Sequence, residues 1–203
     1  MTSVTVFYDY ICPFCFIGSL RISALSREMG FPLEWKGIEI HPEFPPSGTR
    51  RKRTTKSQTT AQNLMWLAEE EGIEITLPGF ITNSRLALEA AELAKDEGLF
   101  EKFHTGIYEA YFQKSLNIGD ERIVRDVAVG VGIGEEKLKR ALSERTMKAR
   151  IDENMKEASS SAILGVPTFV IGGYPLHGCQ RRETMRKIIE RWKERASRTV
   201  AKS

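Results

Sequence analysis

The first forty residues alternate between apolar and polar positions in a way that predicts a strand, a helix and a second strand. Residues 4–9 form an apolar run that predicts a strand, and residues 12–29 are predicted to be helical. Residues 33–40 then alternate apolar and charged side chains, which indicates a second strand. A strand, a helix and a strand in this order predict a parallel pair of strands joined by a crossover.

The middle of the chain is predicted to be mainly helical. Residues 41–48 contain prolines and a glycine that end the first unit, and the polar, basic residues 49–60 predict a mobile loop. A helix is expected over residues 61–71, and helical patterning continues from residue 83 to about 160. The predicted helices there are 84–97, with Asn83 as N-cap, 99–113, 120–129, 135–142 and 144–160.

The last forty residues return to strands. Strands are predicted at 168–171 and 174–177, joined by a tight turn at Gly172 and Gly173, and a final helix at 182–196. The order is therefore β-α-β, a helical insert, then β-β-α. This order predicts a discontinuous α/β domain made of residues 1–60 and 161–203, and a helical insert subdomain made of residues 61–160.

Composition and charge favour a globular protein and argue against a nucleic-acid partner. The chain has 203 residues, 41% of them hydrophobic and 28% charged, which is enough for one well-packed core. The net charge of +3, from 30 basic and 27 acidic residues, is nearly balanced. Basic residues cluster at 50–53 and again at 181–202, but neither cluster is interleaved with aromatic residues, so both are interpreted as solvated surface.

Targeting signals are not expected. No segment approaches the roughly 18 apolar residues that a membrane-spanning helix needs. Residues 1–3 lead directly into the first predicted strand, so no secretory signal peptide and no membrane association are predicted. We therefore expect a cytoplasmic protein, in which a C-x-x-C pair is more often catalytic than structural because thiols are kept reduced there.

The chemistry of the chain is concentrated at Cys12-Pro13-Phe14-Cys15, between the first strand and the first helix. The dipole and the unpaired N–H groups of a helix N-terminus favour a thiolate, which is the form that attacks disulfides. Pro13 suits the first helical position because it needs no partner for a backbone N–H. This arrangement predicts thiol–disulfide exchange. Half of a zinc site is the alternative, but no metal site is expected, because Cys179, His41, His104 and His177 do not complete a zinc-binding spacing.

A second motif lies far downstream. Residues 165–171, Gly-Val-Pro-Thr-Phe-Val-Ile, place Pro167 just before a strand. Taken alone, Pro167 is an ordinary trans proline at a strand start, because only about 5–6% of X–Pro bonds are cis.

The two motifs together resemble the thioredoxin superfamily, specifically the DsbA-like branch that includes FrnE-type oxidoreductases. Residues 7–15 resemble the strand and redox motif of that family, and residues 165–169 resemble its cis-proline loop. Residues 83–87 and 110–112 resemble parts of its helical insert, so the resemblance covers nearly the whole chain. It implies an α/β thioredoxin-like fold with a large helical insertion.

The resemblance also implies roles for individual residues. Cys12 would be the attacking thiol and Cys15 the resolving thiol. Pro167 would be a cis residue beside them, and the backbone of Val166 would pair with an extended substrate. Pro13 and Phe14 of the redox motif complete the predicted substrate-binding set. DsbA itself has a histidine at the position of Phe14, so its strong oxidising power is not carried over.

Two further residues are candidate accessories. Cys179 follows the last predicted strand, where related sequences have a small residue; it is either a small buried side chain or a third redox-active thiol. His177 lies two positions before it, and an imidazolium close to a thiol stabilises the thiolate. His41 and His104 lack a motif and are expected to be structural or solvated. The aromatic residues Trp66, Tyr108, Tyr111 and Phe112 are expected in the core, with a substrate groove as the alternative.

The predicted function is a protein disulfide oxidoreductase that acts on protein or small-molecule thiols and disulfides. No cofactor is expected, although glutathione is a possible co-substrate. The alternatives are a glutathione-dependent isomerase or transferase of the same superfamily, and a non-catalytic redox-sensitive binding protein. The isomerase and transferase relatives typically have serine in place of Cys12, so the presence of both cysteines favours the oxidoreductase. The oligomeric state is left open.

Overall fold

The computed structural model describes residues 3–52 and 55–200, with only the backbone described for 55–58 and 198–200. Its elements follow one another as β1 (Val4–Tyr8), α1 (Pro13–Met29), β2 (Leu33–Gly37), β3 (Thr49–Arg50), α2 (Thr55–Glu70), β4 (Phe80–Ile81), α3 (Arg85–Asp96), α4 (Phe100–Phe112), α5 (Glu121–Gly130), α6 (Glu135–Ser143), α7 (Lys148–Ser160), β5 (Thr168–Ile171), β6 (Tyr174–His177) and α8 (Arg182–Val200).

The main sheet has four strands in the order β2-β1-β5-β6. Strands β1 and β2 are parallel, with Val4 opposite Leu33, which confirms the predicted crossover. Strand β5 runs antiparallel to β1, with Phe169 opposite Val6, and β6 runs antiparallel to β5. The central position of β1 brings the end of this strand, and the cysteine motif after it, next to the start of β5.

Helices cover both faces of this sheet. On one face, α1 and α8 pack over a core that includes Ile22, Phe169 and Ile189. A larger core joins the end of β1 and helix α1 to the helical insert and includes Tyr8, Ile17, Leu88, Phe103 and Tyr108. The α/β fold with a helical insertion is as predicted; the division of the chain at residues 60 and 160 stays a prediction.

The free edge of the sheet at β2 is capped by side chains of the insert. The Nζ atom of Lys95 donates to the carbonyl oxygen of Trp35 at 2.6 Å. The amide of Asn154 donates to the carbonyl oxygen of Gly37 at 3.2 Å. Two carbonyl groups that an added strand would need are therefore already bonded.

The prediction of a loop over residues 49–60 is wrong in two places. Thr49 and Arg50 pair with Ile81 and Phe80 in a two-residue ladder, which is too short to produce a periodic pattern. Helix α2 begins at Thr55, six residues before its predicted start. The prediction placed the start too late because polar side chains dominate the first turns of the helix. Arg53 of the basic cluster lies outside the described residues.

Two helix starts also differ from the prediction. Ser84, and not Asn83, is the N-cap of α3; the Oδ1 atom of Asn83 accepts a hydrogen bond from the amide of Arg85 at 2.9 Å. Helix α7 begins at Lys148 because Arg145 has a left-handed backbone, with φ of 52°, that breaks the helix before it. The guanidinium of Arg145 is held by the buried Glu89 at 2.7 Å. Among the described helices, none is long and apolar enough to cross a membrane.

Candidate active site

Cys12 lies at the point where β1 passes into α1. It is the N-cap residue of α1, in an extended conformation, and Pro13 is the first helical residue. Its backbone amide donates to the carbonyl oxygen of Asp9 at 3.2 Å, and its own carbonyl accepts from the amide of Cys15 at 3.0 Å. The side chain is 8% exposed. A reactive sulfur at a helix N-terminus is what the spacing of the motif predicts, because the helix dipole stabilises negative charge there.

Cys15 lies in the first turn of α1 and is fully buried. Burial raises the pKa of the Cys15 thiol well above its ordinary value, and the neighbouring Cys12 raises it further. Cys12, Cys15 and Cys179 are all free thiols in this structure. The two cysteines of the motif thus differ in accessibility, with Cys12 towards the surface and Cys15 inside.

The loop before β5 packs against Cys12. The Sγ atom of Cys12 lies 3.5 Å from the carbonyl oxygen of Val166, to which it donates, and the Val166–Pro167 peptide bond is cis. The carbonyl of Gly165 accepts from the Thr168 hydroxyl at 2.7 Å, and that of Pro167 from the amide of Gly178 at 2.8 Å. We call residues 165–167 the proline loop. All three of its carbonyl groups are held by defined donors.

Gly18 allows α1 to lie close to the proline loop. A Cβ atom at this position would lie 3.0 Å from the ring of Phe169 and 3.3 Å from the Cγ atom of Pro167. Any larger residue would therefore push the helix that carries the cysteines away from the loop. Sequence reasoning did not identify Gly18, because a glycine inside a helical pattern gives no signal of what it faces.

Asp9 is a buried carboxylate beneath the turn that carries Cys12. Its Oδ1 atom accepts from the amide of Ile11 at 3.2 Å and its Oδ2 atom from the amide of Ile40 at 2.8 Å. Burial raises the pKa of Asp9 to about 6, although these backbone hydrogen bonds act in the opposite direction. Asp9 was not predicted as a site residue. A carboxylate at the end of a buried strand, directly before the cysteine motif, is the sequence signal that could have identified it.

Aromatic side chains form the wall between α1 and α4. Tyr108, Tyr111 and Phe112 are fully buried, as predicted for the core, whereas Trp66 is 42% exposed and stacks under the guanidinium of Arg181 at 4.7 Å. His104 is buried, between the hydroxyl groups of Tyr10 at 3.1 Å and Ser19 at 3.0 Å.

Both histidines without a motif have local roles. Burial lowers the pKa of His104 to about 3, so that its ring is neutral and structural, as expected. His41 is exposed and lies 2.8 Å from the carboxylate of Glu43.

Cys179 is half-buried beside a buried arginine. The Nη1 atom of Arg21 lies 3.6 Å from the Cys179 sulfur and 2.7 Å from the carbonyl oxygen of Gln180. Arg21 also forms ion pairs with Glu70 at 2.9 Å and Glu71 at 2.8 Å. Burial raises the pKa of the Cys179 thiol to about 11 despite the guanidinium. The protonated thiol at neutral pH favours a packing role over a third redox-active thiol.

His177, at the end of β6, pairs with Thr168, the residue that follows the proline loop. The residue is exposed, and its Nδ1 atom is 3.0 Å from the hydroxyl of Thr168. It borders a groove of about 270 Å³ that is lined by Leu164, Gly165, Val166, Pro167, His177 and Gly178. Within the described part of the chain, no group of three or more His, Cys, Asp or Glu side chains is placed to hold a metal ion.

A dithiol motif at the start of a helix, opposite a proline loop on a sheet of this order, defines a thioredoxin-fold protein of the DsbA type. The model of the DsbA-like thioredoxin domain matches residues 3–190, and the chain belongs to this family. It is 30% identical over 189 residues to the uncharacterized protein YwbO of Bacillus subtilis, which covers 92% of this chain and 94% of YwbO.

Two solved structures share the fold over almost the whole chain. A probable DsbA oxidoreductase, SCO1869 from Streptomyces coelicolor, superposes with a TM-score of 0.85 at 22% identity, over 96% of this chain and 91% of that one. A 2-hydroxychromene-2-carboxylate isomerase superposes with a TM-score of 0.82 at 20% identity, over 98% and 99%. At these identities the likeness establishes the fold, so the choice between the two activities depends on the residues of the site.

Proposed function

We propose that this protein is a thiol–disulfide oxidoreductase that exchanges disulfides through Cys12 and Cys15. The observation that carries the proposal is the contrast between the two thiols: Cys12 is the N-cap residue of α1 and is 8% exposed, and Cys15 lies in the first turn and is fully buried. A thiolate at Cys12 attacks one sulfur of a substrate disulfide, which forms a mixed disulfide, breaks the substrate S–S bond and releases the other sulfur as a thiolate. Cys15 then attacks Cys12, which forms the Cys12–Cys15 bond and releases the reduced product.

The substrate is proposed to lie between the redox motif and the proline loop. Val166 presents its carbonyl to the Cys12 sulfur, and Pro167 packs against α1 at Gly18. Pro13 and Phe14, which follow Cys12 in the redox motif, are proposed to contact the substrate from the other side; Phe14 is partly buried against the core. An extended segment that enters this opening passes within reach of Cys12, which supports protein or small-molecule thiols and disulfides as substrates. A cytoplasmic location and glutathione as a co-substrate remain part of the proposal.

The glutathione-dependent isomerase or transferase is the competing proposal. It requires a group that activates the thiol of bound glutathione, and it has no use for a buried second thiol. Cys15 is fully buried and its pKa is raised by that burial, which suits a resolving thiol that stays protonated until a mixed disulfide forms. The site therefore favours disulfide exchange.

Reduction of insulin disulfides by the protein, with a dithiol as the electron donor, tests the proposal. We expect turnover in the wild-type protein and its loss in Cys12→Ser. The Cys15→Ala variant should instead accumulate a mixed disulfide at Cys12, detectable by mass spectrometry, because the resolving step is removed. A wild-type protein that turns over no disulfide and forms no Cys12–Cys15 bond under oxidising conditions would disprove it.

A further inference from the structure

A pocket of about 100 Å³ lies between α1, α4 and β2. Aromatic rings form most of its wall, and they belong to Phe16, Trp35, Phe100 and Tyr108. Among the described residues that line it, none belongs to the cysteine motif or to the proline loop. The pocket is therefore separate from the proposed site of disulfide exchange, and the proposed reaction does not use it.

Contacts between the rings hold the walls of this pocket in place. The rings of Phe16 and Tyr108 are stacked with their centroids 5.1 Å apart, and those of Trp35 and Phe100 are 5.6 Å apart. The ring of His104 lies 4.7 Å from that of Trp35 and 4.8 Å from that of Phe100. Walls that are packed against one another are already formed before a ligand enters, which is typical of small-molecule sites.

Two buried polar side chains, Ser19 and His104, also line the pocket. Each residue is 5% exposed, and the Oγ atom of Ser19 lies 3.0 Å from Nε2 of His104. The other ring nitrogen, Nδ1, lies 3.1 Å from the hydroxyl of Tyr10. A serine hydroxyl has one hydrogen and two lone pairs, and its contact with His104 uses one of these. Since the hydroxyl of Ser19 has no second partner among the described residues, it keeps hydrogen-bonding capacity for a ligand.

The contact between Ser19 and His104 resembles a nucleophile beside a base, but its electrostatics favour binding over catalysis. Burial lowers the pKa of His104 to about 3, and the charge of Lys95 acts in the same direction. A ring with this pKa is a poor base at neutral pH, because a catalytic base needs a pKa near the working pH. The two side chains thus provide a neutral hydrogen-bonding surface inside the pocket.

The entrance of the pocket has balanced charge. Arg27 on α1 and Glu101 on α4 are exposed residues that line it, one positive and one negative. The entrance therefore favours neither an anion nor a cation. An apolar cavity of about 150 Å³ encloses benzene. A pocket of about 100 Å³ with an open entrance thus accepts one ring of that size, with the outer edge of the ring left at the entrance.

We propose that this pocket binds a small uncharged aromatic molecule that carries a hydroxyl group, that is, a ligand of the phenol class. Its ring packs between the aromatic walls, and its hydroxyl forms a hydrogen bond with Ser19. A phenol is uncharged at neutral pH, which suits an interior that offers no counter-charge. The site does not depend on the proposed disulfide exchange. It places the ligand against α1, the helix whose first turn contains Cys15.

Titration of the isotope-labelled protein with phenol, followed through the amide signals in NMR spectra, tests this proposal. Toluene is the matched ligand without a hydroxyl. Ser19→Ala removes the hydrogen-bonding group, and Ser159→Ala is its control, because Ser159 is an exposed serine of α7 that does not line the pocket. Ser23→Phe fills the pocket from a half-buried position on its wall. Urea unfolding establishes that each variant is folded.

We expect phenol to shift the amide signals of residues 16–27 and 100–108 of the wild type, with a dissociation constant on the order of 1 mM, as suits so small a ligand. Ser19→Ala should weaken the binding of phenol about threefold to tenfold and leave that of toluene unchanged, because one neutral hydrogen bond is lost. Ser159→Ala should match the wild type. Ser23→Phe should abolish the binding of both ligands, which tests the pocket even if Ser19→Ala does not fold.

No saturable shifts with phenol, or shifts centred outside these two segments, would overturn the proposal and leave a pocket that holds water. Equal affinity of Ser19→Ala and the wild type for phenol would overturn the assigned class of ligand. A failure of insulin reduction counts against the proposed function alone, because neither cysteine of the motif lines this pocket.

Discussion

The sulfur of Cys12 lies 3.5 Å from the carbonyl oxygen of Val166, across 154 positions of the chain. The contact joins the helix that follows β1 to the loop that precedes β5, and it exists because these two strands are neighbours in the sheet. Each of the two motifs is unremarkable when it stands alone. Their contact places the Cys12 thiol against the proline loop, and the proposed disulfide exchange rests on this arrangement.

The three thiols are expected to react in the order Cys12, Cys179, Cys15. Cys12 is 8% exposed but lies at the N-terminus of α1, where negative charge on the sulfur is stabilised. Cys179 is half-buried with its pKa raised to about 11, and Cys15 is fully buried. Limiting iodoacetamide at neutral pH, followed by peptide mass spectrometry, measures the order. Labelling of Cys15 before Cys12 would reverse the roles assigned to the two residues of the motif.

Cys179→Ala is expected to keep the wild-type rate of insulin reduction. Cys179 packs beside Arg21, and a protonated thiol is a poor nucleophile. The loss of a half-buried sulfur should lower the free energy of unfolding by about 1 kcal/mol, as measured in urea. A tenfold or greater fall in turnover would instead make Cys179 a third redox-active thiol.

Gly18→Ala should both destabilise the protein and slow disulfide exchange. The added methyl would lie 3.0 Å from the ring of Phe169 and 3.3 Å from the Cγ atom of Pro167, so these side chains, packed between α1 and the proline loop, must move by a few tenths of an ångström. Overpacking of this kind costs about 1–3 kcal/mol of unfolding free energy. Gly130→Ala is the matched control, since no atom lies within 4 Å of the added carbon. Equal stability and turnover of the two variants would show that the helix and the loop tolerate a wider separation.

Asp9 should make the stability of the protein depend on pH between about 4 and 6. The pKa of Asp9 is raised from 3.8 in the unfolded chain to about 6 in the folded protein, so the folded state holds the proton more tightly. This contribution is complete below pH 4 and is lost as the pH rises through 6. The difference of roughly two pKa units corresponds to about 3 kcal/mol.

The measurement compares the wild type with Asp9→Asn by urea unfolding at several pH values. The asparagine cannot titrate, so the stability of the wild type relative to the variant should fall between pH 4 and pH 6.5 and then level off. A constant difference between the two proteins across this range would mean that Asp9 does not change its protonation on folding.

Leu164 should contribute to the recognition of protein substrates and not to the chemistry. It lines the groove beside the proline loop, yet 92% of its side chain is exposed. A polypeptide that enters the groove can bury it, whereas a small disulfide cannot. We expect Leu164→Ser to lower kcat/KM for insulin about threefold to tenfold, which corresponds to about 1 kcal/mol of lost burial. Turnover of 2-hydroxyethyl disulfide should stay at the wild-type rate.

Leu116→Ser provides the control for this prediction, because Leu116 is an exposed leucine that does not line the groove. It should leave the turnover of both substrates unchanged. If Leu164→Ser leaves the reduction of insulin unaffected, protein substrates do not use this groove.

Local sequence signals were sufficient for the elements that form the sheet. The strands at 168–171 and 174–177 have the predicted bounds, because a short apolar run and a two-glycine turn are local properties of the chain. The parallel pairing of β1 and β2 followed from the crossover rule. The cysteine motif could be recognised from the sequence because its chemistry depends on its spacing and on its position before a helix.

Contacts between distant residues were beyond sequence reasoning. Burial of Arg21 depends on Glu70 at the end of α2, on Glu71 just after it and on the turn after β6, and none of these is close to Arg21 in the chain. The buried carboxylate of Asp9 depends on a hydrogen bond from the amide of Ile40, which lies just after β2 and 31 positions further along the chain. The early start of α2 was missed because its first turns are polar, so that periodicity became visible only from Leu64 onward.

The capped edge at β2 has a consequence if, as proposed, polypeptides with thiols or disulfides are among the substrates. A polypeptide with unpaired cysteines also exposes extended segments, and such segments add to open sheet edges and start aggregation. Lys95 and Asn154 already occupy the carbonyl groups of Trp35 and Gly37, and Pro175 removes one backbone donor from β6 at the other edge. Under the proposed function, a client would therefore pair at the proline loop, from which exchange releases it, and would not add to the sides of the sheet.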